Sequence, residues 1–220
     1  IPAGLSSIEV DIDATDLAGN TSTLTQTLAL DLDAPDAPVI EDYTRNLNGY
    51  SAISVDLTDN DVAVYEVNQG VPGGQVGDDG VPVEVFGIEA FRFSPEIPDG
   101  SHLVVHSTDA AGNSAGTYLV LDELTNANVD LSNAGLGAFN IESVDLQFAE
   151  DSNLTITEAQ ITALSSNTDT LVVSGGADDT VTITGATNTG ATRMIEKQPY
   201  QVYSLGDATV VVDEDINTVI

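Results

Sequence analysis

Carboxylates dominate the chemistry open to this chain. It carries 36 Asp and Glu against four Lys and Arg, a formal charge of −32 on 220 residues. The four basic residues are Arg45, Arg92, Arg193 and Lys197. Several acidic groups cluster beside turn residues: Asp33 and Asp36 in "DLDAPDAPVI", Asp59 and Asp61 in "TDND", Asp109 with Asn113 in "TDAAGN", and the pair Asp122-Glu123. Oxygens drawn from two neighbouring segments suit a hard divalent cation, because calcium takes about 6–8 oxygen ligands. Asp and Asn are also good turn formers, so each residue alone supports both readings. Like charges repel across a compact body unless something neutralises them. The absence of cysteine removes disulfides, thiol catalysis and cysteine zinc sites together. Calcium is therefore the expected cofactor.

Other chemistries lack their constellations. His102 and His106 are the only histidines. On one strand they stand about 13 Å apart, too far to share a metal directly, and they read as solvent-facing. No nucleophile elbow is present, and the Gly-rich stretch "NQGVPGGQVGDDG" (68–80) has no Lys-Ser or Lys-Thr for phosphate. An enzyme is not expected. Nucleic acid and anionic membrane surfaces need clustered Lys and Arg, and no apolar stretch nears the ~20 residues of a membrane span. The chain opens Ile1-Pro2-Ala3-Gly4, without a basic region followed by an apolar one, as an interior piece of a longer chain would. Patterned apolar runs such as Val62-Ala63-Val64-Tyr65 and Val210-Val211-Val212 argue against disorder.

The elements that must position these carboxylates are β throughout. In "SSIEVDIDA", Ile8, Val10 and Ile12 alternate with Glu9, Asp11 and Asp13, the pattern of a half-buried strand. "ATDLAGNT" then turns the chain and "TLTQTLAL" returns it. About 93 residues on, "SHLVVHS", "TDAAGN" and "TYLVLDEL" repeat the plan. A period that long means tandem whole modules. Three regions follow: a terminal hairpin at 1–33, an immunoglobulin-like β-sandwich at 35–124, and a mostly β domain at 126–220 with one short helix. Sandwich strands are expected at 51–57, 61–67, 82–86, 88–94, 102–108 and 116–121, with 68–80 as a long loop. In the third region "TEAQITALS" is helical, with Thr157 and Gln160 forming a capping box. "DTLVVSG" (169–175) recurs as "DTVTITG" (179–185), and Gly206-Asp207 marks a two-residue hairpin. Stacked coil and meandering sandwich both stay open for these strands. The fold class is all-β.

"ATDLAGNT…LDLDAPDAPVI" and "DGSHLVVHSTDAAGNS" resemble the immunoglobulin-like repeats of giant bacterial RTX adhesins. "NIESVDLQF", "DTVTITGATNTG" and "YQVYSLGDATVVVDEDI" are similar, more loosely, to segments near the far end of such adhesins. The resemblance implies a calcium-rigidified, surface-displayed fibre, exported by type I secretion, that extends or presents ligand-binding modules. Its partners would be neighbouring domains of the same long chain; the alternative is a module that itself binds a cell-surface glycan or peptide. A monomer without membrane insertion is expected. The chain departs from the pattern in two places: "LTDNDVAV" stands where such repeats carry another segment, and "GGADDTVTI" (175–183) is a single degenerate nonapeptide echo with Thr180 in place of a ligand Asp.

Strand alternation in a sandwich brings the "TDAAGN" turn beside the entering linker. Asp33, Asp36, Asp109 and Asn113 are therefore expected to share one ion, with Asp78-Asp79 approaching the same end. At the opposite end Asp59 and Asp61 are expected to meet Asp122 and Glu123. Asp151, Asp178, Asp179, Asp213 and Asp215 are further candidates. Residues 1–33 are either the end of a module whose front lies elsewhere, or one half of a split domain docked on 126–220.

Overall fold

The computed structural model describes residues 6–68, 70–77, 83–85, 87–123 and 126–220. Strands β1 (Ser7–Thr15) and β2 (Thr21–Ala29) form an antiparallel hairpin with Ile8 opposite Leu28 and Ile12 opposite Leu24. Every residue of both strands is exposed. The hairpin is therefore not docked on the third region. Its other face is polar, with Thr25 and Thr23 hydroxyls donating to Asp11 (2.6 Å) and Asp13 (2.5 Å).

Eight strands follow: β3 (Ile40–Asn46), β4 (Gly49–Asp56), β5 (Asp61–Asn68), β6 (Val71–Val76), β7 (Val83–Val85), β8 (Ile88–Ile97), β9 (Ser101–Thr108) and β10 (Ser114–Leu121). One sheet runs β3-β4-β8-β7 and faces a second containing β10-β9-β5-β6. Between them lies a core of Tyr50, Ile53, Val55, Val64, Phe91, Leu103, Val105, Leu119 and Leu121. The expected sandwich strands are all present. Two more appear: β3, and β6 within the Gly-rich stretch. β6 pairs antiparallel with β5, and Pro72 is tolerated there because the strand is an edge. Residues 78–80 of that stretch, including Asp78 and Asp79, lie outside the described residues.

The third region resolves as a coil. Strands β11 (Asn128–Val129), β13 (Asn153–Thr155), β15 (Thr180–Thr182) and β19 (Asn217–Val219) stack in parallel, aligning Asn128, Asn153, Thr180 and Asn217. Strands β12 (Ile141–Asp145), β14 (Thr170–Ser174) and β18 (Ala208–Asp213) form the facing parallel stack, aligning Val144, Val173 and Val212. The chain passes from one stack to the other in successive turns. A 3₁₀ helix (Ala134–Phe139), helix α1 (Glu158–Leu164), and a hairpin of β16 (Thr187–Ile195) and β17 (Gln198–Leu205) close the turns in order. "DTLVVSG" and "DTVTITG" are thus consecutive strands on opposite faces of one coil. Asp179 fixes the corner: its carboxylate accepts the amides of Ser152 (2.9 Å) and Gly176 (2.7 Å). A Cβ on Gly175 would sit 2.6 Å from that carboxylate, so this position admits only glycine without rearrangement. Thr157 caps α1 in a full capping box with Gln160, and Leu205 pairs with Ala208 across Gly206-Asp207.

Sandwich and coil share a strand. β10 pairs antiparallel with β9 and parallel with β12, Tyr118 opposite Val144. One nine-stranded sheet, β16-β17-β18-β14-β12-β10-β9-β5-β6, therefore crosses both units. Leu119 and Leu121 fill the sandwich core, while Tyr118 and Val120 belong to the coil core with Leu136, Leu154, Leu171 and Val181. A strand buried on both faces reads as a continuous apolar run, which is what "TYLVL" is.

Leu119→Ala should cost about 2–5 kcal/mol, the range for a buried leucine truncation. Because β10 is common to both units, hydrogen exchange in β12 and β14 should accelerate along with that in β5 and β9. Unchanged protection of β12 and β14 would show that the units open independently.

Candidate functional site, an acidic groove on the shared sheet

The repeated "TD-AGN" phrase is a turn locked by its own side chains. Asp109 Oδ1 accepts the amides of Ala111 (2.8 Å) and Asn113 (2.9 Å), and Oδ2 accepts Asn113 Nδ2 (2.9 Å). Asp16 makes the same three bonds to Ala18 (2.8 Å), Asn20 N (2.9 Å) and Asn20 Nδ2 (2.8 Å). The bond from Asn113, with the backbone amides, holds the Asp109 carboxyl below the usual range, as Asn20 does for Asp16. Asn113 Nδ2 also reaches Asp31 O at 3.3 Å, so turn and linker do meet. Asp33 and Asp36 are exposed beside them. Among the described residues, however, Asp33, Asp36 and Asp109 do not bring their carboxylate oxygens into one group within 4.8 Å.

The second expected grouping is taken apart. β5 lies antiparallel beside β9 with Asp61 opposite Thr108, which puts Asp59 and Asp61 at the Asp109 end. Asp122 and Glu123 follow Leu121, which pairs with Ser101 at the other end of β9. The chain exit is clamped there by a cation the protein supplies itself. Arg45 contacts Asp99 (3.0 Å) and Glu123 (2.9 Å), Tyr43 donates to Glu123 (2.5 Å), and Tyr50 donates to Asp99 (2.9 Å). The bond to Glu123, with burial, pushes the Tyr43 hydroxyl up to about 12. Of the further candidates, Asp179 holds the coil corner, and Asp213 accepts Gln198 Nε2 (2.8 Å) and the Asp215 amide (3.1 Å).

The histidines are not solvent-facing. Both are partly covered, on the face of β9 that carries Val104 toward the coil core. His102 Nδ1 lies 2.7 Å from the buried Tyr118 hydroxyl, and His106 packs edge-on against Phe139. Burial lowers both imidazoles, with Asp122 partly opposing the shift at His102.

Beyond the edge of the facing sheet, the inner face of the nine-stranded sheet continues as the floor of a groove of about 490 Å³. Register fixes the floor: Thr117, Ser143 and Val172 lie in one row, and Leu119, Asp145 and Ser174 in the next. One wall is the linker around Pro38, whose carbonyl accepts the Thr117 hydroxyl (2.6 Å). The other is the β16–β17 hairpin, with Arg193, Ile195 and Glu196. Asp145 is only 6% exposed. Its Oδ1 accepts the Gln147 amide (3.0 Å), and no hydrogen bond reaches Oδ2 among the described residues. Burial above all, then repulsion from Asp179 and Glu196, pushes this carboxyl up to about 7 against the pull of the Gln147 amide. Near the hairpin turn, Glu41 of β3, Asp56 of β4 and Glu196 bring carboxylate oxygens within 4.8 Å of one another. Partial burial, then repulsion from Asp56 and Glu196, raises the Glu41 carboxyl.

No local motif marks these residues. Glu41, Asp56 and Glu196 come from distant segments, and Asp145 occupies the polar place in an alternating strand, between Val144 and Leu146. Comparison with known protein families and with curated protein sequences finds no match to the chain.

Two outcomes check the geometry. Asp109→Ala should lower the melting temperature equally in calcium and in excess chelator, since the carboxylate binds amides; a loss confined to calcium would make it a ligand. Asp145 titrates near 7 folded against 3.8 in a free chain, so the folded state holds the extra proton between those values. Its contribution favours folding at low pH and is lost as pH rises from about 4 to 7, on the order of 4 kcal/mol in total. Asp145→Asn should flatten the stability profile in that window and stabilise the protein at pH 8, measured by denaturant melts.

Proposed function

We propose that this chain is a calcium-stiffened strut from a bacterial cell-surface adhesin, holding or presenting ligand-binding modules of the same long chain away from the cell. The observation that carries the reading is the strand common to sandwich and coil. A joint made by a continuous sheet has no linker to flex, and it spares the hinge that tandem modules otherwise need. The repeated side-chain-locked turn supports tandem modules. Val10, Ile12 and Leu28 of the exposed hairpin correspond in the repeat to the buried Leu103, Val105 and Leu121. Among the described residues, no helix is long and apolar enough to cross a membrane.

Calcium enters the proposal through Glu41, Asp56 and Glu196. Two of these belong to the sandwich and one to the coil's hairpin. Three converging carboxylates repel one another, and a divalent cation taking oxygens from all three would turn that repulsion into a tie between the units. The same chemistry at the linker, through Asp33, Asp36 and carbonyl oxygens, would stiffen the entry.

The test is a melt and a solution-scattering profile in calcium and in excess chelator, on the native chain and on Glu196→Gln. Chelation should lower the melting temperature and change the scattering profile, and Glu196→Gln should remove part of the calcium response. An unchanged melt in chelator would overturn the calcium reading.

A further inference from the structure

Among the described residues four buried carboxylates other than Asp145 have partners. Asp179 receives two backbone amides, Asp213 a side-chain and a backbone donor on its Oδ1, and Glu89 and Asp122 are likewise engaged. Asp145 is also buried, 6% exposed, yet a single backbone amide is its only hydrogen-bond donor among the described residues, and it lines an open groove. A buried carboxylate without a counter-charge is costly, and nature pairs such groups or neutralises them. The one cation lining the groove, Arg193, forms no ion pair among the described residues. Asp36, Glu142 and Glu196 line the same groove, so its field favours positive charge.

The shape selects the kind of cation. About 490 Å³ is far more than one metal ion fills. Apolar surface comes from Val39 and Ile195 in the walls and Val172 in the floor, which matches an aliphatic stem rather than a hydrated ion. We infer that the groove binds an organic cation, an ammonium or guanidinium on an aliphatic stem, with its head on Asp145 and its stem along Val39, Val172 and Ile195. Two sources share that chemistry: a free amine, and a Lys or Arg side chain of a peptide. The inference does not rest on calcium, so it is tested in both conditions.

The experiment is titration calorimetry of the full chain at pH 8 and about 150 mM salt, in calcium and separately in chelator. The probes are agmatine, butylamine and a capped lysine peptide, with the Asp145 carboxyl carbon followed by NMR. Saturable binding with a shift of that carbon is expected. Asp145→Asn should weaken it at least tenfold, Asp59→Asn outside the groove should leave it unchanged, and Arg193→Gln should tighten it a few-fold by removing a neighbouring like charge. Peptide binding tenfold or more above the free amines would identify a side chain as the occupant; the reverse would identify a small amine. No saturation, equal affinity in Asp145→Asn, or a shift of the Asp145 carbon produced by calcium alone would overturn the inference. The chelator arm separates this result from the calcium proposal, whose failure leaves the binding intact.

Discussion

The pairing of β10 on both sides is the constraint on which the rest depends. A strand with an antiparallel neighbour on one edge and a parallel neighbour on the other must satisfy two different ladders at once. It must also fill two different cores with alternate side chains. Gly116 shows how tight that junction is: a Cβ there would sit 2.7 Å from the carbonyl of Phe139, where the chain arrives to start β12. From this strand follow the direction in which the coil grows, the position of the 3₁₀ helix over β10, and the exposed row beyond the edge of the facing sheet.

The charge of the chain is handled locally before any ion is considered. Carboxylates at turns accept backbone amides, which stabilise the ionised form directly. Asp16 and Asp109 lock their turns in this way; Asp179 takes two amides at a coil corner, where burial outweighs them and raises its carboxyl. Arg45 serves two acids at the exit. These polar contacts specify turn geometry as well as offset charge. The residual repulsion is concentrated where the hairpin approaches the sandwich, at Glu41, Asp56 and Glu196, which is why that place rather than the turns is the candidate for a divalent cation.

Legibility from the sequence tracks the range of the interaction. The "TD-AGN" turn, the capping box at Thr157 and the Gly206-Asp207 hairpin are governed by neighbours within a few residues, and each is where the sequence indicates. The coil is not readable in the same way. Its strands pair in parallel with partners about 25 or more residues away, and a short apolar run looks the same in a coil as in a sandwich. β6 is hidden because glycine and proline weaken its strand signal, although an edge position tolerates both. The end of β9 at which Asp59 and Asp61 lie depends on which strand is β5's neighbour, a fact of sheet order rather than of spacing. The histidines read as solvent-facing in sequence, but the face of β9 they occupy is covered by Tyr118 and by Phe139, which follows the sandwich in the chain.

The groove is what remains when a two-sided sheet outruns its cover. On the coil side of the nine-stranded sheet the row of Tyr118, Val144, Val173 and Val212 is apolar throughout. On the opposite face the rows change character from one unit to the next. Leu119, under the facing sheet, gives way at the same register to Asp145 and then Ser174. A sheet face abandoned by its cover would become polar for solubility alone, and Ser143 and Ser174 fit that account. Asp145 does not, because the linker and the hairpin close over it and leave it 6% exposed. Solubility alone places a carboxylate on the open surface; here it sits in the floor of a groove. The pairing of burial with an unmet oxygen is therefore a property of the enclosing walls, which are built by the linker and by the hairpin that ends the shared sheet.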